Sequence, residues 1–299
     1  MDLSKMSTET RNPNTMQLDT FSALEIVTVM NEEDAKLAEA VQPMLHNIAQ
    51  VAEWAAEAFQ NGGRLFYMGA GTSGRLGVLD ASECPPTFGV SPDQVIGLIA
   101  GGDRAIRLPV EGAEDNESLG RDDLIAHSLS RNDVVVGLAA SGRTPYVIGG
   151  LQYAKELGCK TASVACNTGS KVAAVAGLAI EVVPGPEILT GSTRLKAGTA
   201  QKMVLNMIST AAMVLCGKAY ENLMVDVVQS NQKLNTRAEN IIMEATGASR
   251  EKARLTLDEA GGRGKVAIVM ILLNCDKARA QALLEGSNGH VHRALKEAN

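Results

Sequence analysis

Short apolar runs alternate with longer segments of helical periodicity along the middle of the chain. Five runs have the length and apolar content of buried strands: Arg64–Met68, Val95–Ala100, Asp133–Ala139, Thr161–Ala165 and Leu178–Val183. Helical segments lie between them, and the clearest, Pro145–Leu157, begins with proline and is followed by glycine. Strands that alternate with helices form parallel sheets covered on both faces. The pattern therefore predicts an α/β fold, a three-layer αβα sandwich around a five-stranded parallel sheet.

Helical periodicity dominates on both sides of the predicted sheet. Residues 1 to about 20 are polar and predict an extended arm, and Thr20–Gln60 predicts one or two helices. The apolar segment Thr199–Leu215 predicts a long helix buried in the core or at a subunit contact. Beyond Gly217 only helices are predicted, at Thr236–Ala245, Ser249–Glu259, Lys265–Leu273 and Asp276–Gly286, the last with Asp276 as its N-cap. We accordingly divide the chain into an arm with helices (1–56), a sheet domain (57–220) and a small C-terminal helical module (221–299).

Composition and charge exclude some classes of binding partner and cofactor. The chain has 299 residues, of which 45% are hydrophobic and 21% charged, as in soluble globular proteins. A net charge of −6 argues against nucleic acid or an acidic membrane as partner, and no apolar run reaches the ~18 residues of a spanning helix. The five cysteines lack C-x-x-C spacing, the N-terminus lacks an apolar leader, and the four histidines lack metal-ligand spacing. We expect a cytoplasmic protein with reduced thiols and no metal.

The first predicted strand runs into a glycine- and hydroxyl-rich loop, GAGTSG, at residues 69–74. Glycine permits close approach of the backbone to a ligand, Thr72 and Ser73 offer hydroxyl donors, and the next helix start offers free N–H groups to an anion. The loop also fits the dinucleotide pattern G-x-G-x-x-G, but the acidic residue at the right distance, Asp93, precedes the next strand instead of ending it. A phosphate or sugar cradle is favoured, with a dinucleotide site and a turn without ligand as alternatives.

A second loop of the same kind follows the third predicted strand. It comprises Ser141, Gly142, Arg143 and Thr144, and Arg143 suits a phosphate or carboxylate by bidentate contact. A third hydroxyl-and-cation cluster spans residues 191–196. Each cluster could instead simply cap the helix that follows it. Because carboxyl ends of parallel strands meet at one edge, the first two loops indicate one small phosphorylated ligand held from two sides.

Two glutamates are candidates for acid–base chemistry. Glu83 lies between an apolar helix and a predicted turn at Pro85-Pro86, where apolar burial would raise its pKa and make it a usable acid. Glu111 and Glu114 share a helix face at i and i+3, a pattern that by itself favours a solvated acidic face.

Long contiguous motifs resemble one family. The strings GAGTSGRLG, LDASECPPT, PVEGAED, VVVGLAASGRTPYV and GSTRLKAGTAQK resemble the N-acetylmuramic acid 6-phosphate etherase family, over nearly the whole chain. The resemblance implies a flavodoxin-like sugar isomerase (SIS) domain, which binds phosphosugars, and a ubiquitin-associated-like helical module at the C-terminus. It also implies a homodimeric lyase of cell-wall sugar recycling that cleaves the lactyl ether of N-acetylmuramic acid 6-phosphate without a cofactor.

The resemblance also implies roles for particular residues. Glu83 would be the acid that protonates departing lactate, and Glu114 the second catalytic glutamate, acting as base. The expected substrate-binding residues are Gly71, Thr72, Ser73, Ser141, Arg143, Thr144, Ser192 and Lys196. Two alternatives remain open: an aldose–ketose isomerase of sugar phosphates, and a non-catalytic phosphosugar sensor. The carboxyl pair favours the etherase, because a sensor needs no acid and base.

Overall fold

The computed structural model describes residues 6–227 and 232–298, and these form two compact units. The first unit contains the described residues up to Ser82 together with Asp93–Ser209. The second contains Glu83–Pro92 and the described residues from Thr210 onwards.

The N-terminal arm is not extended as the sequence predicted. Its first five residues lie outside the described part, and the rest winds into three 3-10 turns, Ser7–Glu9, Pro13–Thr15 and Leu18–Thr20. Side chains of the arm hold these turns in place; for example, Asn12 accepts from the backbone of Asn14.

Three helices follow the arm, so the helical periodicity of this region is confirmed, but the predicted number of one or two helices is too low. They are α1 (Ala23–Asp34), α2 (Leu37–Val41) and α3 (Leu45–Gln60), with a 3-10 turn over Gln42–Met44. A capping box of Ser22 and Glu25 starts α1, because each side chain accepts the backbone N–H of the other residue.

The five predicted strands are present. They are β1 (Leu65–Gly69), β2 (Val95–Ile99), β3 (Val134–Ala139), β4 (Lys160–Ala165) and β5 (Leu178–Glu181). All pairings are parallel, in the order β2-β1-β3-β4-β5. Every residue of β1 and β3 is buried, so both faces of the sheet are covered. The α/β fold predicted from the alternating pattern is confirmed.

Five helices lie between these strands, and a sixth follows β5. They are α4 (Gly71–Phe88), α5 (Asp103–Arg107), α6 (Glu117–Ala126), α7 (Pro145–Glu156), α8 (Lys171–Val175) and α9 (Lys196–Leu215). The turn predicted at Pro85-Pro86 is wrong, since α4 continues through both prolines to Phe88. Proline lacks the backbone N–H, so the carbonyls of Ala81 and Ser82 lose their usual i+4 donors without ending the helix.

Apolar residues from both sheet faces build the core of the first unit. One cluster joins Phe66 and Met68 of β1 to Val147 and Leu151 of α7. The predicted burial of α9 holds for Val204, Leu205 and Ile208, each of which is 0% exposed.

The second unit is helical, but it also contains a feature that the sequence analysis missed. A two-stranded antiparallel ladder pairs β6 (Ala219–Tyr220) with β7 (Leu223–Met224), where only helices were predicted. The helices are α10 (Gln232–Thr246), α11 (Arg250–Glu259), α12 (Gly264–Leu273), α13 (Lys277–Gly286) and α14 (Val291–Glu297).

The core of the second unit surrounds α12. Val266, Ala267, Ile268 and Val269 are fully buried in one cluster. The predicted N-cap of α13 is present, since the Asp276 carboxylate accepts from the backbone N–H of Arg279 at 2.8 Å. No helix among the described residues has the length and apolarity needed to cross a membrane.

Candidate functional site

A tight turn of glycines joins β1 to α4. A Cβ on Gly69 would lie 2.8 Å from the backbone nitrogen of Gly74, and a Cβ on Gly74 would lie 2.7 Å from the carbonyl oxygen of Gly69. Only glycines allow this approach, which lets α4 start at Gly71, directly after the strand. The free N–H groups of the α4 start therefore lie at the carboxyl end of β1, where an anion can accept from them.

The two hydroxyl residues of this turn differ in environment. Ser73 is buried, and its hydroxyl donates to the side-chain oxygen of Gln201 in α9 at 2.9 Å. This bond ties α4 to α9 inside the first unit. Gly71 is exposed, with a φ of 52° and open space where a Cβ would stand, and Thr72 is partly buried. The turn thus presents Gly71 and Thr72 more openly than Ser73.

The second loop turns sharply between β3 and α7. Gly142 has a φ of 73°, and a Cβ there would lie 2.3 Å from the Cβ of Ser170. The backbone N–H of Arg143 donates to the Ser141 hydroxyl at 3.3 Å. Thr144 occupies the N-cap position of α7, but its side chain makes no capping hydrogen bond. The alternative of a capping loop is therefore only partly realised, since Ser141 forms a turn bond with Arg143 while Thr144 does not cap α7.

Ser141 and Arg143 line a cavity of about 190 Å³, which we call the Arg143 cavity. Its walls come from the ends of three neighbouring strands, because Asn167 follows β4 and Val183 follows β5. Ser7 of the arm also lines it.

Asn167 fastens the arm to this cavity, and sequence reasoning did not identify it. Its amide nitrogen donates to the hydroxyl of Thr8 at 3.0 Å and to the carbonyl of Ala140 at 3.2 Å. Its oxygen accepts from the hydroxyl of Ser7 at 3.1 Å. The available signal was its position directly after a predicted strand, which places a polar side chain at the ligand edge of a parallel sheet.

Glu114 lines a second cavity, of about 210 Å³, which we call the Glu114 cavity. Gly71 after β1 and Ala100 after β2 form part of its wall, and so do Arg75 and Glu111. Glu111 and Glu114 are both exposed, as expected of a solvated acidic segment, but the predicted shared helix face is wrong, because both residues lie in the loop between α5 and α6. The backbone carbonyl of Glu114 accepts from the N–H of Tyr146 in α7 at 3.0 Å, which holds this loop against the helix that starts after the second loop.

Arg75 is a second residue of the site that sequence reasoning missed. Its Nε donates to the carbonyl of Ile106 and one Nη to the carbonyl of Ala105, both at 2.8 Å. The guanidinium is thereby held in one orientation at the end of α5. Its sequence position, inside the first turns of α4 directly after the glycine loop, was the signal that could have indicated it.

The two cavities flank the switch point of the sheet. In the order β2-β1-β3-β4-β5, the chain adds β2 on one side of β1 and then β3, β4 and β5 on the other side, so the switch point lies between β1 and β3. Ligands of such sheets bind outside the carboxyl ends of the strands at that point. The Glu114 cavity lies at the ends of β2 and β1, and the Arg143 cavity at the ends of β3, β4 and β5.

Lys196 is not in either cavity. Its side chain is 2% exposed, and its ammonium donates to the carboxylate of Glu33 at 2.6 Å and to the carbonyl of Pro186 at 3.0 Å. The nearby Glu187 carboxylate caps α9 by accepting from the backbone N–H groups of Lys196 and Ala197. In this structure Lys196 ties α1 to the start of α9.

Burial and hydrogen bonding shift the pKa values of Glu33 and Glu187 in opposite directions. Burial disfavours the ionised form of Glu33, but hydrogen bonds from Lys196, Lys36 and Asn14 outweigh it and lower the pKa of Glu33 to about 2. Burial raises the pKa of Glu187, although its two backbone donors work against that rise. Ser192 is half-buried and, like Lys196, lines neither of the two cavities.

Glu83 lies in the second half of α4 and is exposed, so the expected burial in apolar surroundings is wrong for the single chain. It belongs to the second unit, whereas Glu114 belongs to the first. In the part of the chain that the structure describes, no group of three or more His, Cys, Asp or Glu side chains could hold a metal ion.

Comparison with known families and proteins identifies the domain. The sequence model of the SIS domain family matches residues 114–211. The family model of the glucokinase regulatory protein N-terminal SIS domain matches residues 47–155. Among solved structures, the c3406 protein of E. coli CFT073 has a TM-score of 0.49 at 15% identity, covering 68% of this chain and 97% of that one. The phosphoheptose isomerase of Neisseria gonorrhoeae has a TM-score of 0.47 at 17% identity, covering 64% and 99%.

Curated relatives align over almost the entire chain. The N-acetylmuramic acid 6-phosphate etherase of Actinobacillus pleuropneumoniae serotype 5b is 59% identical over 98% of this chain and 96% of its own length. The protein of that name from Enterobacter sp. strain 638 is 57% identical, covering 99% and 100%, and that from Halalkalibacterium halodurans is 55% identical, also covering 99% and 100%.

Proposed function

Since this chain belongs to the N-acetylmuramic acid 6-phosphate etherase family, we propose that it cleaves the lactyl ether of N-acetylmuramic acid 6-phosphate. The products are N-acetylglucosamine 6-phosphate and D-lactate, and the enzyme is a carbon–oxygen lyase of amino-sugar and peptidoglycan recycling. The observation that carries this proposal is identity of 55–59% to etherases over almost the whole chain.

The reaction is an elimination followed by addition of water. Opening of the sugar ring gives an aldehyde at carbon 1, which acidifies the proton on carbon 2. A base removes that proton, the bond between carbon 3 and the ether oxygen breaks, and an acid protonates the departing lactate oxygen. Water then adds its hydroxyl at carbon 3 and a proton returns to carbon 2. The sequence of steps needs one acid, one base and an anchor for the phosphate, and general acid–base help of this kind is worth roughly 10²–10⁴-fold per group.

We assign the base to Glu114 and the acid to Glu83. An exposed carboxylate of Glu114 in the wall of the Glu114 cavity supports the first assignment, as does the bond from Tyr146 that holds its backbone. The second rests on the motif LDASECPPT, shared with the family, and on a Glu83 side chain that is free to meet solvent or a ligand.

We propose that the second loop binds the phosphate. Arg143 and Ser141 line a cavity with further polar groups, and a guanidinium binds phosphate through parallel N–H donors. We expect Thr144, whose hydroxyl makes no cap bond, to contact the phosphate as well. Gly71, which lines the Glu114 cavity, and Thr72 beside it are proposed contacts of the remaining sugar.

Three further residues were expected to contact the substrate: Ser73, Ser192 and Lys196. The hydroxyl of Ser73 and the ammonium of Lys196 already have protein partners, so we propose that these two residues act mainly by supporting α4 and α9. Ser192 remains a proposed contact, because no side-chain partner occupies it among the described residues.

We further propose a cytoplasmic homodimer. The helix α1 carries Leu24 and Val27 at 74% and 56% exposure, one turn apart, beside an open depression of about 520 Å³ that Phe21 also lines. A second copy of the chain would bury this apolar face. The mass of Leu24→Asp in solution should fall to that of one chain, whereas Leu255→Asp, at an exposed position on α11, should keep the mass of the wild type; an unchanged mass for Leu24→Asp would contradict this interface.

The reaction is tested with N-acetylmuramic acid 6-phosphate in water enriched in oxygen-18, followed by mass spectrometry. The etherase releases unlabelled D-lactate and puts the heavy oxygen on carbon 3 of the product sugar. An isomerase would yield a product of the same mass as its substrate and no lactate, and a sensor would bind the sugar without changing it. Either of those results would overturn the proposed function.

A further inference from the structure

The proposed substrate carries two anionic groups that a binding site has to distinguish. One is the phosphate on carbon 6, and the other is the carboxylate of the lactyl group attached through carbon 3. The second loop supplies Arg143 for the phosphate. The inference below rests on the proposed function and concerns the other anion.

Arg75 is the cationic side chain of the Glu114 cavity. Among the described residues that line this cavity, the ionisable ones are Arg75, Glu111 and Glu114. A ligand carboxylate entering beside two glutamates would be repelled unless a cation offsets their charge. Arg75 forms no salt bridge with any residue in the described ranges, so its positive charge is available to a ligand.

The guanidinium of Arg75 is also oriented before any ligand arrives. Its Nε and one Nη are held by the carbonyls of Ile106 and Ala105, both at 2.8 Å, which leaves the Nη1 group without a protein partner in the described chain. A planar guanidinium fixed along one edge presents its remaining donors in a defined direction. The entropy cost of fixing this side chain is therefore incurred on folding and does not weaken ligand binding.

We propose that Arg75 binds the carboxylate of the lactyl group and so decides the specificity of this site for an ether-linked hydroxy acid. The contact would hold the leaving group beside Glu114 while the bond to carbon 3 breaks. A sugar phosphate without a carboxylate, the substrate of an isomerase on the same fold, gains nothing from Arg75. The product sugar retains the phosphate and has lost the carboxylate. Its binding therefore reports on the phosphate site alone, whereas turnover of the substrate depends on both anion sites.

The test compares Arg75→Gln with Arg143→Gln in two measurements. The first is kcat/KM for lactate release from N-acetylmuramic acid 6-phosphate, and the second is the calorimetric Kd of N-acetylglucosamine 6-phosphate. Arg75→Gln should lower kcat/KM by about 10–100-fold, since a charge-assisted bond contributes on the order of 1.5–3 kcal/mol and each ~1.4 kcal/mol is tenfold. Its Kd for the product sugar should stay near that of the wild type. Arg143→Gln should impair both quantities.

Two results would overturn the inference. Arg75→Gln with unchanged kcat/KM shows that no anion of the substrate meets Arg75, and equal loss of kcat/KM and of product binding shows that Arg75 serves the phosphate or only the fold. Should Arg75→Gln fail to fold, Arg75→Met, which is uncharged and close in length to Gln, is judged by the same two measurements and the same two results. A wild-type enzyme that releases no lactate would overturn the proposed function itself. If the wild type is active and only the Arg75 variants give one of the two contrary results, the inference about Arg75 is wrong and the proposed function stands.

Discussion

The backbone N–H of Tyr146 donates a 3.0 Å hydrogen bond to the carbonyl oxygen of Glu114. Tyr146 is the second residue of α7, which begins directly after the loop Ser141–Thr144. The proposed base and the proposed phosphate loop are therefore supported by the same turn of helix. The Tyr146 hydroxyl strengthens this support by donating to Asp123 of α6 at 2.7 Å.

Glycines let α6 and α7 approach closely enough for this support. A Cβ on Gly149 would lie 2.1 Å from the carbonyl oxygen of Glu117, so Gly149→Ala has to push α6 away and move the Glu114 loop with it. We expect a loss of about 1–3 kcal/mol of unfolding free energy, typical of overpacking, and a lower kcat. Gln152→Ala, at an exposed position of the same helix, is the control and should change neither thermal unfolding nor turnover. Wild-type stability and turnover in Gly149→Ala would contradict the argument.

The two glutamates should fail in different ways when neutralised. Glu83→Gln cannot donate a proton as an acid does, so lactate release should fall by roughly 10²–10⁴-fold, while exchange of the carbon 2 proton with deuterated water persists. Glu114→Gln should suppress both exchange and lactate release, because removal of that proton starts the reaction. Both quantities can be followed by NMR.

Fold and phosphate binding should survive both substitutions, which unfolding curves and product Kd values verify. Loss of exchange in Glu83→Gln together with its persistence in Glu114→Gln would reverse the two roles. If neither variant slows lactate release by more than a few-fold, the carboxylate pair does not carry the chemistry.

Phosphate on carbon 6 should be required for efficient turnover. Arg143 and the hydroxyls around it contribute charge-assisted bonds of on the order of 1.5–3 kcal/mol each. Unphosphorylated N-acetylmuramic acid should therefore show kcat/KM at least ~100-fold lower. Similar efficiency on the two sugars, measured under the same conditions, would rule out a phosphate cradle in this loop.

The ion pair of Glu33 and Lys196 should make stability depend on acid pH. The pKa of Glu33 falls from its ordinary 4.5 to about 2 in the folded chain, chiefly through hydrogen bonds from Lys196, Lys36 and Asn14 acting against burial. A carboxyl with a lowered folded pKa stabilises the fold above its unfolded value, and this contribution disappears as pH falls from about 4.5 towards 2. Glu33→Gln should remove that part of the pH dependence, which urea unfolding at a series of pH values measures.

At neutral pH the same substitution should be costly. It leaves the Lys196 ammonium buried without its counter-charge, for which about 3–5 kcal/mol is typical. Glu32→Gln, next to it and exposed, should cost little and keep the wild-type pH profile. If Glu33→Gln matches Glu32→Gln in stability, the buried pair is not important to the fold.

Local patterns predicted most of the sheet domain. A strand buried on both faces reads as a continuous apolar run, which is why the bounds of β1 to β5 agree with the prediction to within two residues at every end. The pattern failed where the elements are too short to show a period, as in the pair of two-residue strands Ala219–Tyr220 and Leu223–Met224. It also failed at Pro85-Pro86, because packing can retain a helix that local propensity would end.

The sequence by itself determined the family, the parallel sheet and the loops at its carboxyl edge, since these depend on residues adjacent in the chain. Only the tertiary structure decided which polar groups of those loops are open to a ligand. Ser73 and Lys196 looked equivalent to their neighbours, yet their partners Gln201 and Glu33 lie 128 and 163 residues away. Arg75 lines the Glu114 cavity, and the carbonyls of Ala105 and Ile106 in α5, 30 and 31 residues away, orient its guanidinium. Whether a hydroxyl or a cation can bind a ligand depends on which groups already form hydrogen bonds with it. Folding brings those groups together from distant parts of the chain, so a local sequence pattern cannot predict them.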